Sequence, residues 1–191
     1  MALKASVAKK IADAKAAGGG NRLCDKKGDY VLAVRRILIN DGHKGLMFIP
    51  EMRVMKSTAH DGAAAPWPEG SNVSCAWPLN KGGDAGSAAL GNIKEFCAAT
   101  FGLNLDGMTE EQVLEEVGPY VGEKGDPDSE AARGVILLAS TYDKKIERGG
   151  NAGKVGTFAH FTHISEEDGN SAEAIEERKA LIDASEKGAG K

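Results

Sequence analysis

Hydrophobic positions along the chain change their period from segment to segment. Leu3, Val7 and Ile11 fall four apart, with Lys4, Lys9, Lys10 and Lys15 mostly off that stripe. This spacing predicts a short helix over 2–17, stopped by Gly18, Gly19 and Gly20, which act as a flexible joint. The body begins near Asp29. Residues 30–39 are β-rich and long enough for a curved strand. Asp41 and Gly42 mark a turn over 40–45. A second strand follows over 46–56, and Pro50 within it implies an edge or a bulge. Residues 57–70, with Gly62, Pro66, Pro68 and Gly70, read as a loop. A third strand is expected over 72–79, with Val73, Cys75 and Trp77 on one face, completing a meander.

Helical spacing takes over at residues 87–101, through Leu90, Ile93, Phe96, Cys97 and Phe101, with Gly102 as the stop. Thr109 and Gln112 form a capping box ahead of Val113, Leu114 and Val117, and Gly118-Pro119 ends that helix. Residues 122–129 are a charged loop. Strand patterns return at 133–146 and 155–164, joined by a Gly-rich hairpin tip. In the last of these, Phe158, His160, Thr162 and Ile164 share one side. Residues 166–170 read as a polar linker, and 171–187 as a final helix with a weak apolar face of Ala174, Ile175, Ala180, Leu181 and Ile182. Strands gathered before and after an inserted helical segment predict a mainly β fold with inserted helices. The specific expectation is an OB-fold-like five-stranded antiparallel barrel with N- and C-terminal helices. The domains are then an arm and Gly linker over 1–20, an OB-like barrel over 28–164 with a helical insert at 87–118, and a C-terminal helix and tail over 165–191.

Composition sets the class. The chain has 191 residues, 41% hydrophobic and 27% charged. That is ordinary globular usage, which excludes wholesale disorder. The best apolar run, residues 135–139, is far short of the ~20 residues of a membrane span. Lysines interrupt the first residues, so no secretory signal is expected. Cys24, Cys75 and Cys97 are odd in number and unpaired by metal-site spacing, so they read as reduced thiols in a cytoplasmic protein, or in host cytoplasm if the source is viral. The net charge of −4 is divided unevenly: +7 over 1–60, −7 over 61–163 and −4 over 164–191. A basic first third suits a polyanion-binding face.

Catalytic patterns are weak. There is no phosphate-loop, HExxH or GxSxG motif, and residues 149–154 lack the glycine spacing of a phosphate loop. His160 and His163, three apart on a strand, point to opposite faces, so they are not expected to share a metal. No cofactor and no enzymatic activity are expected. A hydrolase or nuclease built on the acidic loop at 126–130 is the remote alternative.

Binding residues are better placed. Arg35 and Arg36 sit mid-strand, where neighbours face opposite sides and one can meet solvent. Arg53 and Lys56 lie on the second strand. Lys144, Lys145 and Arg148 flank the Gly-rich hairpin. Such positions line a groove for a phosphate backbone, with Trp67 and Tyr142 available to stack on bases. Trp77, in phase with Val73 and Cys75, reads as core.

The layout over 28–164 resembles phage-encoded single-stranded DNA-binding proteins of the OB-fold type and related replication-module proteins. The matching pieces are Gly28-Asp29-Tyr30-Val31, the segment 45–49 (GLMFI), the segment 89–96 (ALGNIKEF) and Arg133-Gly134-Val135-Ile136. The resemblance implies sequence-independent binding of single-stranded DNA during phage replication or recombination. On this reading the N-terminal helix mediates self-association or adds basic contacts, self-association through the terminal helices is an expected partner interaction, and no membrane partner is expected. The alternative is a structural β-barrel subunit of a viral or cellular assembly, joined through those helices.

Overall fold

The computed structural model describes residues 21–42, 45–79, 83–123, 125–147 and 151–188. The helix expected over 2–17, its glycine joint and Arg148 lie outside the described residues. The strands are β1 (Asn21–Arg22), β2 (Gly28–Gly42), β3 (Gly45–Thr58), β4 (Asn72–Ser74), β5 (Trp77–Pro78), β6 (Ile136–Lys145) and β7 (Val155–His163). The helices are α1 (Gly83–Phe101), α2 (Glu110–Val117) and α3 (Ala172–Gly188). The strands pair in the order β1-β4-β3-β2-β6-β7, with β5 also on β3, and the sheet curls into a half-barrel. The fold is therefore mainly β with helices, as the pattern predicts.

Strand number and direction differ from the five antiparallel strands expected. The described residues hold seven strands, and β1 runs parallel to β4. Two local causes account for the difference. The body starts earlier than Asp29: Asn21 and Arg22 pair with β4, and Leu23, just behind them, is fully buried. The third strand splits because the Cys75 N–H reaches the Pro50 carbonyl at 3.2 Å, between the β4 and β5 ladders. Pro50 thus lies in the gap where one short partner has ended and the next has not begun. Its missing N–H costs no ladder bond there.

The inside of the curl is filled by side chains alternating along the long strands. Tyr30, Leu32 and Val34 of β2 and Leu137 and Ala139 of β6 are buried. α1 packs against β7, β5 and β6 and carries Phe96 into an aromatic cluster. Phe96 meets Phe161 edge-on at 5.4 Å between centroids, and Trp77 lies 6.0 Å from each of them. Phe48 stacks on Trp77 at 6.2 Å. Trp77 packs against the core and is partly buried, on the side that its phase with Val73 and Cys75 predicts. Each such pair contributes about 0.5–1.5 kcal/mol beyond its area burial. The capping box forms as expected: Thr109 Oγ1 accepts the Gln112 N–H at 3.3 Å, and Gln112 Oε1 accepts the Thr109 N–H at 2.9 Å.

The long strand β2 changes partner midway. Its first half pairs with β6, as far as Ala33 opposite Ile136. Its second half bonds residues around Gly122, with the Ile39 N–H on the Gly122 carbonyl at 3.1 Å. The change coincides with a bulge at Arg35, where the β3 register skips from Val34–Met52 to Arg36–Glu51. A bulge bends and twists the strand, and that is how one strand serves two halves of a curled sheet.

The C-terminal segment folds back on its own sheet. Asn170 is buried and pairs with Ile136 as another strand would: its Oδ1 accepts the Ile136 N–H and its Nδ2 donates to the Ile136 carbonyl, both at 2.8 Å. α3 follows, burying Ile182 and passing close over Gly134. Among the described residues no helix is long and apolar enough to cross a membrane.

Two substitutions test this packing. Phe96→Ala is expected to lower stability by ~3–5 kcal/mol in urea unfolding, through the cavity it leaves. Gly134 has φ +88°, and a Cβ there would stand 2.5 Å from the Ile175 carbonyl oxygen. Gly134→Ala is therefore expected to cost about 1–3 kcal/mol and to raise proteolysis within α3.

Candidate nucleic-acid interface

β2, β3, β6 and β7 turn one face to the core, and their other face forms an outer surface that the pairing register divides into rows. The first row is Arg53–Ala33–Ile136. The second is Lys56–Val31–Leu138–Thr162, and the third Thr58–Asp29–Ser140–His160. Beyond them come Tyr142 opposite Phe158, then Lys144 opposite Gly156.

α3 covers the first row. Ala33 is fully buried although it points away from the core, and Arg53 donates from Nη1 to Ser185 Oγ of α3 at 3.1 Å. Beside this row the bulge alters what the two adjacent arginines do. Simple alternation would send Arg35 and Arg36 to opposite faces. The extra residue instead lets both reach Glu51, at 3.7 Å from Arg35 Nη1 and 2.7 Å from Arg36 Nε. Arg35 also donates from Nε to Glu186 of α3 at 2.9 Å, and its Nη2 contacts the same carboxylate. Arg133 completes the network. It is buried, and its Nη2 donates to Asp183 at 2.7 Å and to Glu186 at 2.8 Å.

Burial by itself would lower the Arg133 pKa, but the bonds to Glu186 and Asp183 outweigh it and hold the guanidinium above its ordinary value. Burial would likewise raise the Glu186 pKa, yet hydrogen bonds from Arg133 and Arg35 bring it below the usual carboxylate range. Arg35, Arg36 and Arg53, expected to meet phosphates, are thus occupied by carboxylates and a hydroxyl of the protein itself.

The remaining rows are open. Leu138 and Tyr142 are 43% and 42% exposed, and Tyr142 lies 6.4 Å from Phe158 across the strand pair, their rings tilted by 33°. Lys56 and Lys144 are exposed on this same face. Lys145 is exposed too, but it has the opposite parity and faces Val155. Of the residues predicted from sequence, the fold therefore places Tyr142 and Lys144 near each other with Lys145 beside them, and sets Lys56 on the same face two strands away, in the Leu138 row. Trp67 stands elsewhere and is half-buried. Its Nε1–H donates to the Arg22 carbonyl at 2.9 Å, and Lys26 Nζ sits 4.4 Å from its ring centroid.

Leu138, Val31 and Phe158 join the face without having been singled out as site residues. Their signal was the two-residue alternation through Leu138, Ser140, Tyr142 and Lys144, which the register extends sideways.

Two histidines border the face, each paired with a carboxylate. His60 Nε2 lies 3.0 Å from Asp29 Oδ1, and bonds from His60 and Ser140 hold the Asp29 carboxyl below its ordinary value. His160 pairs with Glu95, whereas His163 points the other way, its Nδ1 on the Ala99 carbonyl at 2.9 Å. Among the described residues no group of three or more His, Cys, Asp and Glu is placed to hold a metal ion. The three thiols are unpaired. Burial pushes Cys97 up to about 12 and, with Asp25 adding to it, Cys24 up to about 11, so neither is an activated nucleophile. No family model, curated protein or solved structure matches the chain.

The α3 network makes docking of this helix acid-sensitive. Glu186 has a lower pKa folded than unfolded, so its contribution is present in full above the ordinary carboxylate range and is lost as pH falls through the folded value. Hydrogen exchange within α3 is expected to accelerate as pH drops below about 4, after correction for intrinsic rates, and Glu186→Gln is expected to blunt that change.

Proposed function

We propose that the chain binds single-stranded DNA without sequence preference, through the outer face of β2, β6 and β7, on a half-barrel that is a variant of the OB type. The observation that carries this reading is the exposed Tyr142 ring tilted against a half-buried Phe158, flanked by Lys144 and Lys145 at the hairpin and by Leu138 on the same face. Every base has a π-face, so an aromatic surface of this kind binds strands of any sequence, while lysines supply the backbone attraction. A duplex keeps its bases stacked on one another, so this platform favours the single strand.

Two features temper the affinity. Asp29 keeps a negative charge in the third row, and Lys27, 2.8 Å from Asp143, is already paired. Backbone electrostatics therefore rest on few cations, and stacking carries much of the selectivity. The role that goes with such binding is coating of single strands in phage-type replication or recombination.

Anisotropy of a labelled strand of ~30 nucleotides, with duplex competitor at two salt concentrations, tests the reading. Binding is expected to prefer the single strand and to weaken with salt. Tyr142→Ala is expected to cost ~1–3 kcal/mol of affinity, and Lys144→Ala with Lys145→Ala to flatten the salt slope by about 0.7 per lysine. No binding at low salt overturns the proposal.

A further inference from the structure

His160 stands at the border of the open face with one ring nitrogen already committed. Glu95 Oε1 of α1 accepts the Phe161 N–H at 2.7 Å, which fixes the carboxylate at the edge of β7. The same oxygen lies 2.5 Å from His160 Nδ1. Two lone pairs cannot face each other at that separation, so Nδ1 carries a proton. The ring is thereby oriented, and Nε2 is the nitrogen left for anything outside. The side chain is 61% exposed.

The place of this ring relative to the aromatic pair decides what it can meet. His160 lies two residues from Phe158 on the same face, opposite Ser140. Lys144, opposite Gly156, lies on the other side of the pair. The two residues bracket the stacking platform, about 13 Å apart at ~3.3 Å per residue of strand. A strand whose bases lie on Tyr142 and Phe158 has backbone on both sides of them, and each side offers one nitrogen.

We propose that His160, oriented by Glu95, contacts a backbone phosphate of the bound single strand, and that strand binding takes up a proton at this ring. The inference rests on the single-strand reading above. When Nδ1 carries the only proton, Nε2 presents a lone pair that repels a phosphate oxygen. The imidazolium presents an N–H there, and a charge-assisted bond forms. Proton and strand then favour one another by linkage.

The groups nearest this ring are Glu95 from α1 and Ser140 from β6, with Asp29 and its partner His60 farther along the third row and Lys144 beyond the aromatic pair. His163 on β7 itself faces away, onto Ala99. His60 is the other imidazole among these groups, and it serves as the control.

The test uses the full chain and a labelled oligothymidylate of ~30 nucleotides, titrated at about pH 5.5 and about pH 8 over a salt series. The wild-type protein is expected to bind more tightly at the lower pH, with a salt slope steeper by about 0.7, the value of one added phosphate contact on a single strand. His160→Ala is expected to lose both differences and His60→Ala to keep them. His160→Lys is expected to bind tightly at both pH values. Glu95→Gln is expected to weaken the pH dependence. Far-UV circular dichroism of each variant separates loss of contact from loss of fold. Equal pH dependence in wild type and His160→Ala overturns the inference while leaving the single-strand reading intact, and so does a wild type whose affinity ignores pH. Absence of strand binding at both pH values overturns the single-strand reading, and this inference with it.

Discussion

β2 is buried on both of its faces at Ala33, where its pairing with β6 ends, and the rest of the architecture is arranged around that constraint. Tyr30, Leu32 and Val34 face the core, while Ala33 points outward and is nevertheless fully buried. An outward-facing strand position becomes dry only when another element covers it. α3 supplies that cover, and the small side chain of Ala33 lets the helix approach. Arg35, Arg53 and Arg133, which meet the C-terminal half of the helix, must then find partners within the protein, because a guanidinium removed from water needs its donors satisfied. Glu186, Asp183 and Ser185 accept from all three guanidiniums, and among the described residues the buried Arg133 Nε is left without a partner. The arginine network is a consequence of docking a helix on a cationic part of the sheet.

The same docking sets the limits of the candidate site. α3 ends its coverage at the first outer row, and the rows beyond it stay in contact with solvent. What remains open is less basic than the chain composition suggests, since three arginines have been withdrawn from it. What remains is also more apolar, with Leu138, Tyr142 and the half-buried Phe158 and Val31 in adjoining positions. A surface of this kind suits stacking supported by a few cations better than a deep electrostatic groove does. Among the described residues, the negative charges belong largely to other surfaces, including α2 and the exposed side of α3.

Curvature is the second organising feature. Pro50 and the bulge at Arg35 occur almost opposite each other on paired strands, where β2 and β3 both change partners. Neither strand could continue one ladder through this region: β3 passes from β4 to β5, and β2 from β6 to the segment at Gly122. The proline removes a donor where none is needed, and the bulge adds a residue where the strand must turn. The curl that brings α1 and its phenylalanine into the core depends on both.

Element identity was legible in the residues themselves because it rests on short-range physics. The β-rich run of residues 30–39, the alternation over 155–164, the helical stripe ending at Phe101 and Gly102, and the capping box at Thr109 each need only neighbours a few positions away. Which outward positions stay open was decided by tertiary contacts between segments distant in the chain. Arg35 next to Arg36 reads as one buried and one free cation until a bulge turns both onto Glu51. Trp67 reads as an exposed loop residue until the Arg22 carbonyl and Lys26 claim its ring. Tyr142 and Lys144 read much like the other candidates, and their place on an open face follows from where α3 stops. A sequence specifies periodicity and caps locally, but the burial of an outward side chain depends on which distant segment lands on it, and only the folded chain contains that fact.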